Sequence, residues 1–397
     1  MKYKYIIIFV LLILSISLTG CFLFPPKDNT AEWTVMVYLD ADNNLESAGI
    51  DDINEMEMVG STSDVNIVVQ IDRIPGYDTS NSNWTNTRRY YITPDLDPYI
   101  INSQLINDLS EQNMGNTETL INFADWTVNN YPAKKYLLVI WNHGGGFRSS
   151  GLAKDIAWDD TNGGDKITMP ELEYALSAIN TQMGKNIDIV GMDACYMAMI
   201  EVAYQIKDYA DILVTSEESE PNDGWPYDTT LGELAGNPLI SSEQFAADIV
   251  DEYIYSYPFE EVTQSAIDLS YMDDLAGQLS SMADSIRSDT LTSKNVYINA
   301  AYYSQYYGDP DFIDLYDFCN QLLAYSNSLE VKNIALNIQQ ALNYAVIKSG
   351  YSGGSVSGSK GLSIYFPWYY NYDSEKYNDT NFAQDTFWDE MLLYLGL

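Results

Sequence analysis

Histidine, cysteine and basic residues are all scarce in this chain. Its 397 residues include one histidine, His143, and three cysteines. Three widely spaced cysteines provide neither a disulfide framework nor a zinc site. Lysine and arginine number 19 against 57 aspartates and glutamates, giving a formal net charge of −38. A surface of that charge repels nucleic acid, so we expect no nucleic-acid partner, whereas cationic peptides would be attracted.

The remaining composition is that of a folded protein. Hydrophobic residues make up 46% of the chain, with 33 tyrosines and 8 tryptophans, which excludes a mainly disordered chain. The length suits one large domain, or one domain with a sizeable subdomain.

The N-terminus has the pattern of an export signal. Two lysines precede the apolar run Ile6–Leu18, which is short for a membrane span. The run ends in Leu-Thr-Gly before Cys21, which resembles a bacterial lipoprotein cleavage box. We therefore predict a lipoprotein signal peptide at 1–20, lipidation at Cys21, a tether at 21–31 and a location in the bacterial cell envelope, outside the cytoplasm. An ordinary signal peptide or an uncleaved anchor is the alternative.

Two predicted strands end next to residues that can carry chemistry. The apolar run Tyr136–Trp141 is followed by an asparagine, His143 and three glycines. The run Ile187–Gly191 is followed by Asp193 and Cys195, and a helical pattern begins after it. Ligands of open α/β sheets bind at the carboxyl ends of the strands. We expect helix N-terminal N–H groups near the thiol to lower its pKa.

Strand and helix patterns alternate from Trp33–Leu39 onward, which predicts an α/β fold with a parallel sheet and crossover helices. We place the core at 32–260. Residues 261–397 are predicted to form a C-terminal subdomain that supplies helices and a closing strand, the GLSIYFP segment Gly361–Pro367. No internal repeat is present.

The other cysteine and a short acidic motif have simpler interpretations. Cys319 falls on the apolar face of a predicted helix and is expected in the core, although a disulfide between Cys195 and Cys319 is the alternative. Asp40, Asp42 and Asn44 alternate like the start of a calcium loop, but the later glycine and glutamate are out of register. We interpret this motif as Asx turns and helix capping. We expect no required cofactor and leave calcium open.

The two strand-end motifs, WNHGGGF (Trp141–Phe147) and GMDACYMA (Gly191–Ala198), resemble the clostripain-like cysteine peptidases, a branch of the caspase-like proteases. Three further segments support the resemblance: Met36–Glu46, Ser216–Tyr227 and Gly361–Pro367. His143 precedes Cys195 by 52 positions, close to the spacing of caspases. The resemblance implies a caspase-like three-layer α/β/α sandwich with a mainly parallel central sheet.

The resemblance also implies roles for individual residues. Cys195 would be the nucleophile and His143 the proton carrier, with the backbone N–H groups of Gly144 and Cys195 as oxyanion donors. Cleavage after arginine or lysine is expected, with Asp193 and Asp223 binding the basic side chain. Glu217, Glu218 and Glu220 are expected to shape the loop, or else to add to its negative field.

Processing and a second function complete the expectations. Relatives are activated by cleavage between the histidine and the cysteine, where Arg148, Lys154 and Lys166 offer basic sites and Lys154 is preferred. The chain is thus predicted to be an exported, lipid-anchored cysteine endopeptidase with protein or peptide substrates. The alternative is a catalytically silent surface lipoprotein that binds peptide or glycan in the same cleft.

Overall fold

The computed structural model describes residues 30–147, 155–368 and 372–397. Residues Ala31–Leu397 form one compact unit. The described strands are β1 Ala31–Ala41, β2 Val65–Arg73, β3 Arg88–Tyr91, β4 Gln104–Asp108, β5 Ala133–Trp141, β6 Ile156–Asp159, β7 Asp165–Ile167, β8 Ile187–Asp193, β9 Ala210–Thr215, β10 Val262–Asp268, β11 Phe312–Asp314, β12 Val346–Ser352 and β13 Ser363–Tyr365.

Helices lie between most of these strands and fill much of the C-terminal part. The described helices are α1 Glu46–Val59, α2 Thr117–Asn130, α3 Met169–Met183, α4 Ile200–Ile206, α5 Tyr227–Gly236, α6 Ser242–Ser256, α7 Met272–Ser288, α8 Lys294–Tyr302, α9 Leu315–Tyr325, α10 Leu329–Ala345, α11 Ser374–Tyr377, α12 Asn381–Asp385 and α13 Trp388–Leu395.

The central sheet has a parallel middle and antiparallel edges. In the described part of the chain its strand order is β12-β10-β9-β8-β5-β1-β2-β3-β4. The strands from β9 to β2 in this order pair in parallel, whereas β3, β4, β10 and β12 pair antiparallel. Parallel strands buried on both faces read as continuous apolar runs, which is why the sequence revealed them clearly.

Both faces of the sheet are covered. Met36 and Tyr38 of β1 pack into one apolar cluster, which also contains residues of α2, α3, α4 and α7. Val35, Val37 and Leu39 of the same strand pack into a second cluster with residues of α1, α5 and α6. Side chains alternate between the two faces of a strand, so the architecture is a three-layer α/β/α sandwich.

The GLSIYFP segment differs from its prediction. Its strand, β13, pairs with β11 in a separate small sheet, and β12 instead takes the edge of the central sheet. Two N–H groups of β13 donate hydrogen bonds to residues that follow β8 in the chain. Ser363 N–H donates to the Ala198 carbonyl at 2.8 Å. Tyr365 N–H donates to the buried Glu201 carboxylate at 3.0 Å. These partners hold the segment beside the sheet end instead of within the sheet.

The predicted signal peptide, the lipid site at Cys21 and nearly all of the tether lie outside the described residues. Among the residues that are described, no helix has the length and apolar character needed to cross a membrane.

Candidate active site

The sheet register brings the two predicted catalytic residues to one edge. Trp141 at the end of β5 pairs with Asp193 at the end of β8. His143 and Cys195 each follow two positions later, so adjacent parallel strands deliver them to the same place. Both residues line one cavity of about 50 Å³, together with Asp193 and Glu220.

Gly144 lies directly against the backbone of Cys195. A Cβ atom on Gly144 would overlap the Cys195 carbonyl oxygen and lie 2.9 Å from the Cys195 nitrogen. Both contacts are closer than real Cβ atoms show, so a side chain at this position would displace one of the two strand ends. The absence of a side chain at Gly144 therefore permits the close approach of these two strand ends.

The Cys195 thiol is held by the loop that follows β9. Glu220 N–H donates to the Cys195 sulfur at 3.2 Å, and the sulfur also lies 3.9 Å from the Glu220 carbonyl oxygen. Burial raises the pKa of the thiol, the Glu220 N–H lowers it, and the nearby Glu218 and Asp193 carboxylates raise it further. The surroundings of the thiol thus disfavour the thiolate in this structure.

The expected benefit from a helix N-terminus is absent here. Helix α4 begins at Ile200, and Tyr196 in the intervening segment has a left-handed φ of 61°. This turn separates the thiol from the first turn of the helix. The predicted lowering of the thiol pKa by helix N–H groups is therefore wrong for this state, because burial and neighbouring carboxylates dominate.

His143 contacts two asparagines, Asn44 after β1 and Asn142 after β5. Its Nε2 lies 2.9 Å from Asn44 Oδ1, and its own N–H contacts the Asn142 side chain. The Asn142 amide in turn donates to the Asp40 carbonyl at 2.9 Å. Asn44 belongs to the motif interpreted as Asx turns. Consistent with that interpretation, Asp40 and Asn43 each accept an N–H from two residues further on.

Asp193 lies at the inner wall of the cavity. It is 4% exposed and accepts hydrogen bonds from the Trp225 N–H at 3.1 Å and the Tyr227 hydroxyl at 2.9 Å. Burial raises its pKa, while Glu220, Trp225 and Tyr227 lower it by hydrogen bonding. Asp193 reaches the cavity because β8 extends to that residue, two positions beyond the predicted strand end at Gly191.

Glu220 is a second buried carboxyl group in the cavity. Burial raises its pKa well above the ordinary value, and the Asp193 charge and hydrogen bond raise it further. One of its oxygens accepts from the Gln264 amide at 3.3 Å, and the protonated carboxyl group donates to Asp193. The sequence indicated an acidic loop but contained no signal that this glutamate turns inward.

Helix α1 places two further acidic residues near Asp193 that were not predicted from the sequence. Asp52 is buried, with one oxygen unpartnered, and burial followed by the Asp193 charge raises its pKa well above the ordinary value. Burial raises the pKa of Glu55 to about 7, helped by the charge of Asp228. The spacing of apolar residues in a helix does not show which of its polar residues face a strand end. The sequence therefore gave no reason to predict Asp52 and Glu55 at this position.

Asp223 lies outside the cavity that contains Cys195. It is exposed and lines a separate depression with Asp51 and Glu55. The turn that carries it is closed by a hydrogen bond from Gly224 N–H to the Pro221 carbonyl at 3.0 Å, with Gly224 at a φ of 56°. In this conformation the turn directs Asp223 away from the thiol.

The acidic loop is anchored to the C-terminal part of the chain. Glu217 accepts the Gly361 N–H at 2.9 Å, and Glu218 accepts the Gly308 N–H at 3.0 Å. Glu217 and Glu218 thus shape the loop, as expected, and they fix the segment that carries Glu220.

Other predicted residues fall elsewhere. Arg148 and Lys154 lie outside the described residues. Lys166 lies in β7, with its ammonium 4.9 Å from the Trp158 ring centre. Cys319 is buried in the apolar core and, like Cys195, is a free thiol, so the two do not form a disulfide.

Comparison with known proteins identifies the family. The clostripain family model matches residues 37–394. Clostripain from Hathewaya histolytica is 28% identical over 405 residues, which covers 86% of this chain and 76% of clostripain.

Solved structures agree in fold. A secreted C11 cysteine protease from Bacteroides thetaiotaomicron, in complex with an irreversible peptide inhibitor, has a TM-score of 0.69 at 22% identity, covering 90% of this chain and 100% of that one. An inactive zymogen C11 protease from Parabacteroides distasonis has a TM-score of 0.68 at 21% identity, covering 90% and 98%. The predicted caspase-like α/β fold is confirmed. The chain belongs to the clostripain family and is a cysteine endopeptidase.

Proposed function

We propose that this peptidase cleaves after arginine or lysine through a dyad of Cys195 and His143. The observation that carries the proposal is the single cavity that contains the only histidine of the chain, a cysteine at a strand end and two buried carboxyl groups. The first two residues supply a nucleophile and a proton carrier. The carboxyl groups supply a site for a cation.

In the proposed reaction, the His143 imidazole takes the Cys195 proton and the sulfur attacks the substrate carbonyl carbon. The resulting oxyanion accepts hydrogen bonds from the N–H groups of Gly144 and Cys195. The imidazolium then protonates the leaving amine, which leaves an acyl-enzyme thioester. Water, deprotonated by the imidazole, hydrolyses the thioester and regenerates the thiol. The Asn44 side chain, 2.9 Å from the imidazole Nε2, fixes the ring plane during these transfers.

Substrate binding is expected to activate the thiol. The raised pKa of Cys195 arises first from burial and then from the charges of Glu218 and Asp193. A cationic substrate side chain beside Asp193 would cancel part of that negative field and favour the thiolate. A basic substrate would therefore contribute both binding energy and nucleophile activation.

Asp193 and Glu220 form the proposed binding site for the basic side chain. Two neighbouring buried carboxyl groups repel each other when both are ionised, and the hydrogen bond between Glu220 and Asp193 requires that they share a proton. A guanidinium or ammonium group would supply both the charge and further donors. Asp223 is proposed only as an outer contact, because it is exposed and lines a different depression.

Processing and location complete the proposal. Cleavage after Lys154, in the segment between the two catalytic residues, would produce two chains from one precursor. Lipidation at Cys21 would anchor the enzyme to the cell envelope, facing outside the cytoplasm. Cleavage of the precursor by its own active site predicts that Cys195→Ala protein stays a single chain while the wild type is clipped.

Hydrolysis of fluorogenic peptides ending in arginine, lysine, aspartate or asparagine tests the proposed function. We expect turnover of the arginine and lysine peptides alone, and complete loss in Cys195→Ala. Cys319→Ala is the matched control, since it removes the other described cysteine from the distant apolar core and should leave turnover intact. Turnover restricted to the aspartate peptide would disprove the proposed pocket, and turnover by Cys195→Ala would disprove the dyad.

A further inference from the structure

An acidic depression lies beside the cavity that contains Cys195 and takes no part in the proposed reaction. Its volume is about 330 Å³, at the lower end of the range of about 300–1,000 Å³ that is usual for ligand sites. Four carboxyl groups line it, those of Asp51, Asp52, Glu55 and Asp223. Gly224, the next residue after Asp223, lines the Cys195 cavity. The depression and the cavity are therefore neighbours.

Two buried oxygen acceptors in this lining lack donors. Asp52 is 2% exposed; the Trp141 indole hydrogen-bonds its carboxyl group, yet Oδ2 has no partner in the described part of the chain. Asn54 is 3% exposed, and its amide donates to the Ile50 carbonyl at 2.7 Å. The Asn54 Oδ1 has no partner among the described residues either. Because buried acceptors without donors cost free energy, this lining favours a ligand that brings N–H groups.

The negative charge of the depression is also uncompensated. Among the described residues, no lysine or arginine forms an ion pair with any of its four carboxyl groups. Burial and then the charge of Asp223 raise the pKa of Asp51. Burial, followed by the charges of Asp193 and Glu55, raises the pKa of Asp52 well above its ordinary value. Like charges held together in this way favour a cationic ligand.

The rest of the lining is apolar and suits an aliphatic chain. Ala48 and Met58 of α1 and the exposed Pro98 complete the depression, and Met58 is itself 45% exposed. Lysine and arginine pack their methylene groups on apolar surface while the charged end reaches polar partners. A metal ion would make no use of such a wall, whereas a basic side chain would use both the wall and the acceptors.

We propose that this depression binds a second arginine or lysine side chain of the substrate, so that the enzyme favours peptides with two basic residues close together. The inference rests on the proposed function, in which Asp193 and Glu220 bind the first basic side chain. A guanidinium or ammonium group would bring several N–H donors to the Asp52 and Asn54 oxygens. Because the two sites adjoin, one peptide can occupy both.

Internally quenched peptides with one fixed arginine before the cleaved bond test the second site. A second arginine is placed at neighbouring positions on either side, one position at a time. Citrulline, which is neutral and has nearly the same shape, replaces it in the matched peptide. The assays contain about 0.15 M sodium chloride, because salt screens unspecific attraction to the acidic surface. At one position, arginine should give a kcat/KM at least about tenfold above that of citrulline, the effect of a hydrogen-bonded charge.

Substitutions on α1 locate this preference. Asp51→Asn and Asp52→Asn should each lower the ratio of the arginine rate to the citrulline rate by at least about threefold, because each removes charge from the depression. Asp51 is exposed, so its substitution should leave the fold intact. Glu330→Gln is the matched control: it removes an exposed charge from α10, which packs on the opposite face of the sheet, and should keep the ratio.

Four results would overturn the second site. Equal rates for arginine and citrulline at every position would show that the depression binds no basic side chain. A small gain that is alike at all positions would reflect the acidic field of the whole protein. A ratio that both α1 variants leave unchanged would place the second site elsewhere. An equal loss on the single-arginine peptide in these variants, with the ratio unchanged, would assign the depression to the first basic side chain.

Peptide binding to the Cys195→Ala protein separates this inference from the proposed function. Calorimetric titration compares each two-arginine peptide with its citrulline match, and one position should show tighter binding of the arginine peptide by a similar factor. Tighter binding without hydrolysis by the wild type would support the second site and refute the proposed function. Hydrolysis of the single-arginine peptide, with equal binding of every matched pair, would refute the second site alone.

Discussion

Replacing Glu220 by glutamine removes the negative charge and preserves the size and shape of the side chain. The side chain is buried beside Asp193 and is hydrogen-bonded to it. Losing one charge of a buried, hydrogen-bonded pair with a substrate cation costs about 2–3 kcal/mol. At 1.36 kcal/mol for each factor of ten, kcat/KM for an arginine peptide should fall by about 30- to 150-fold.

The same substitution should stabilise the free protein, which gives a second readout of opposite sign. Burial and Asp193 raise the folded-state pKa of Glu220 above its ordinary value of 4.5. A carboxyl group with a raised folded pKa lowers the free energy of unfolding as pH increases above its unfolded pKa. Glu220→Gln should therefore melt at a higher temperature than the wild type at pH 8, with little difference near pH 4.

The assay compares initial rates on arginine and uncharged peptides with melting curves at both pH values. Asp223→Asn is the matched control from the same loop, and it should change kcat/KM by less than about threefold because its carboxylate is exposed. An unchanged arginine rate in Glu220→Gln, together with a large loss in Asp223→Asn, would refute the pocket assignment. A lower melting temperature at pH 8 would refute the burial argument.

Three further substitutions test two other residues of the site and the buried carboxyl group that binds β13. Gly144→Ala places a Cβ against the Cys195 carbonyl oxygen. Because this disturbs the proposed oxyanion site, kcat should fall by at least about 100-fold. Circular dichroism checks that the variant is folded. Asn44→Ala removes the partner of the His143 Nε2, and kcat should fall about tenfold with KM nearly unchanged; an equal rise in KM would contradict positioning. Burial raises the pKa of Glu201 to about 7, so Glu201→Gln should make the melting temperature less sensitive to pH between about 5 and 8; an unchanged pH profile would contradict this.

The sequence was most informative for the central parallel strands, whose apolar runs are easy to recognise and whose pairing brings their ends together. Runs such as Tyr136–Trp141 predict central strands because both of their faces are buried, and the residues that follow then meet at one edge. This is why the sequence alone could place His143, Cys195 and Asp193 together. The fold class followed from the alternation of strands and helices in the same way.

The sequence was least informative about which of several polar residues in a loop or helix is buried at the cavity. Glu220 and Asp223 are three positions apart in one acidic loop, and the Gly224 turn sends the second outward. The position of β13 depends on Ala198 and Glu201, more than 160 residues earlier, and the strand pattern alone contains no trace of these partners. A local turn decided the first case, and long-range hydrogen bonding decided the second.

The anchoring of the acidic loop to Gly308 and Gly361 affects when the enzyme can become active. Ribosomes release the N-terminal part of a chain first, and residues 143 and 195 emerge well before residue 361. Until the distal glycines reach Glu217 and Glu218, the segment carrying Glu220 lacks the N–H donors that hold it against the thiol. We therefore expect an unfinished chain to be inactive. Synthesis itself would then delay proteolysis until the whole protein is made.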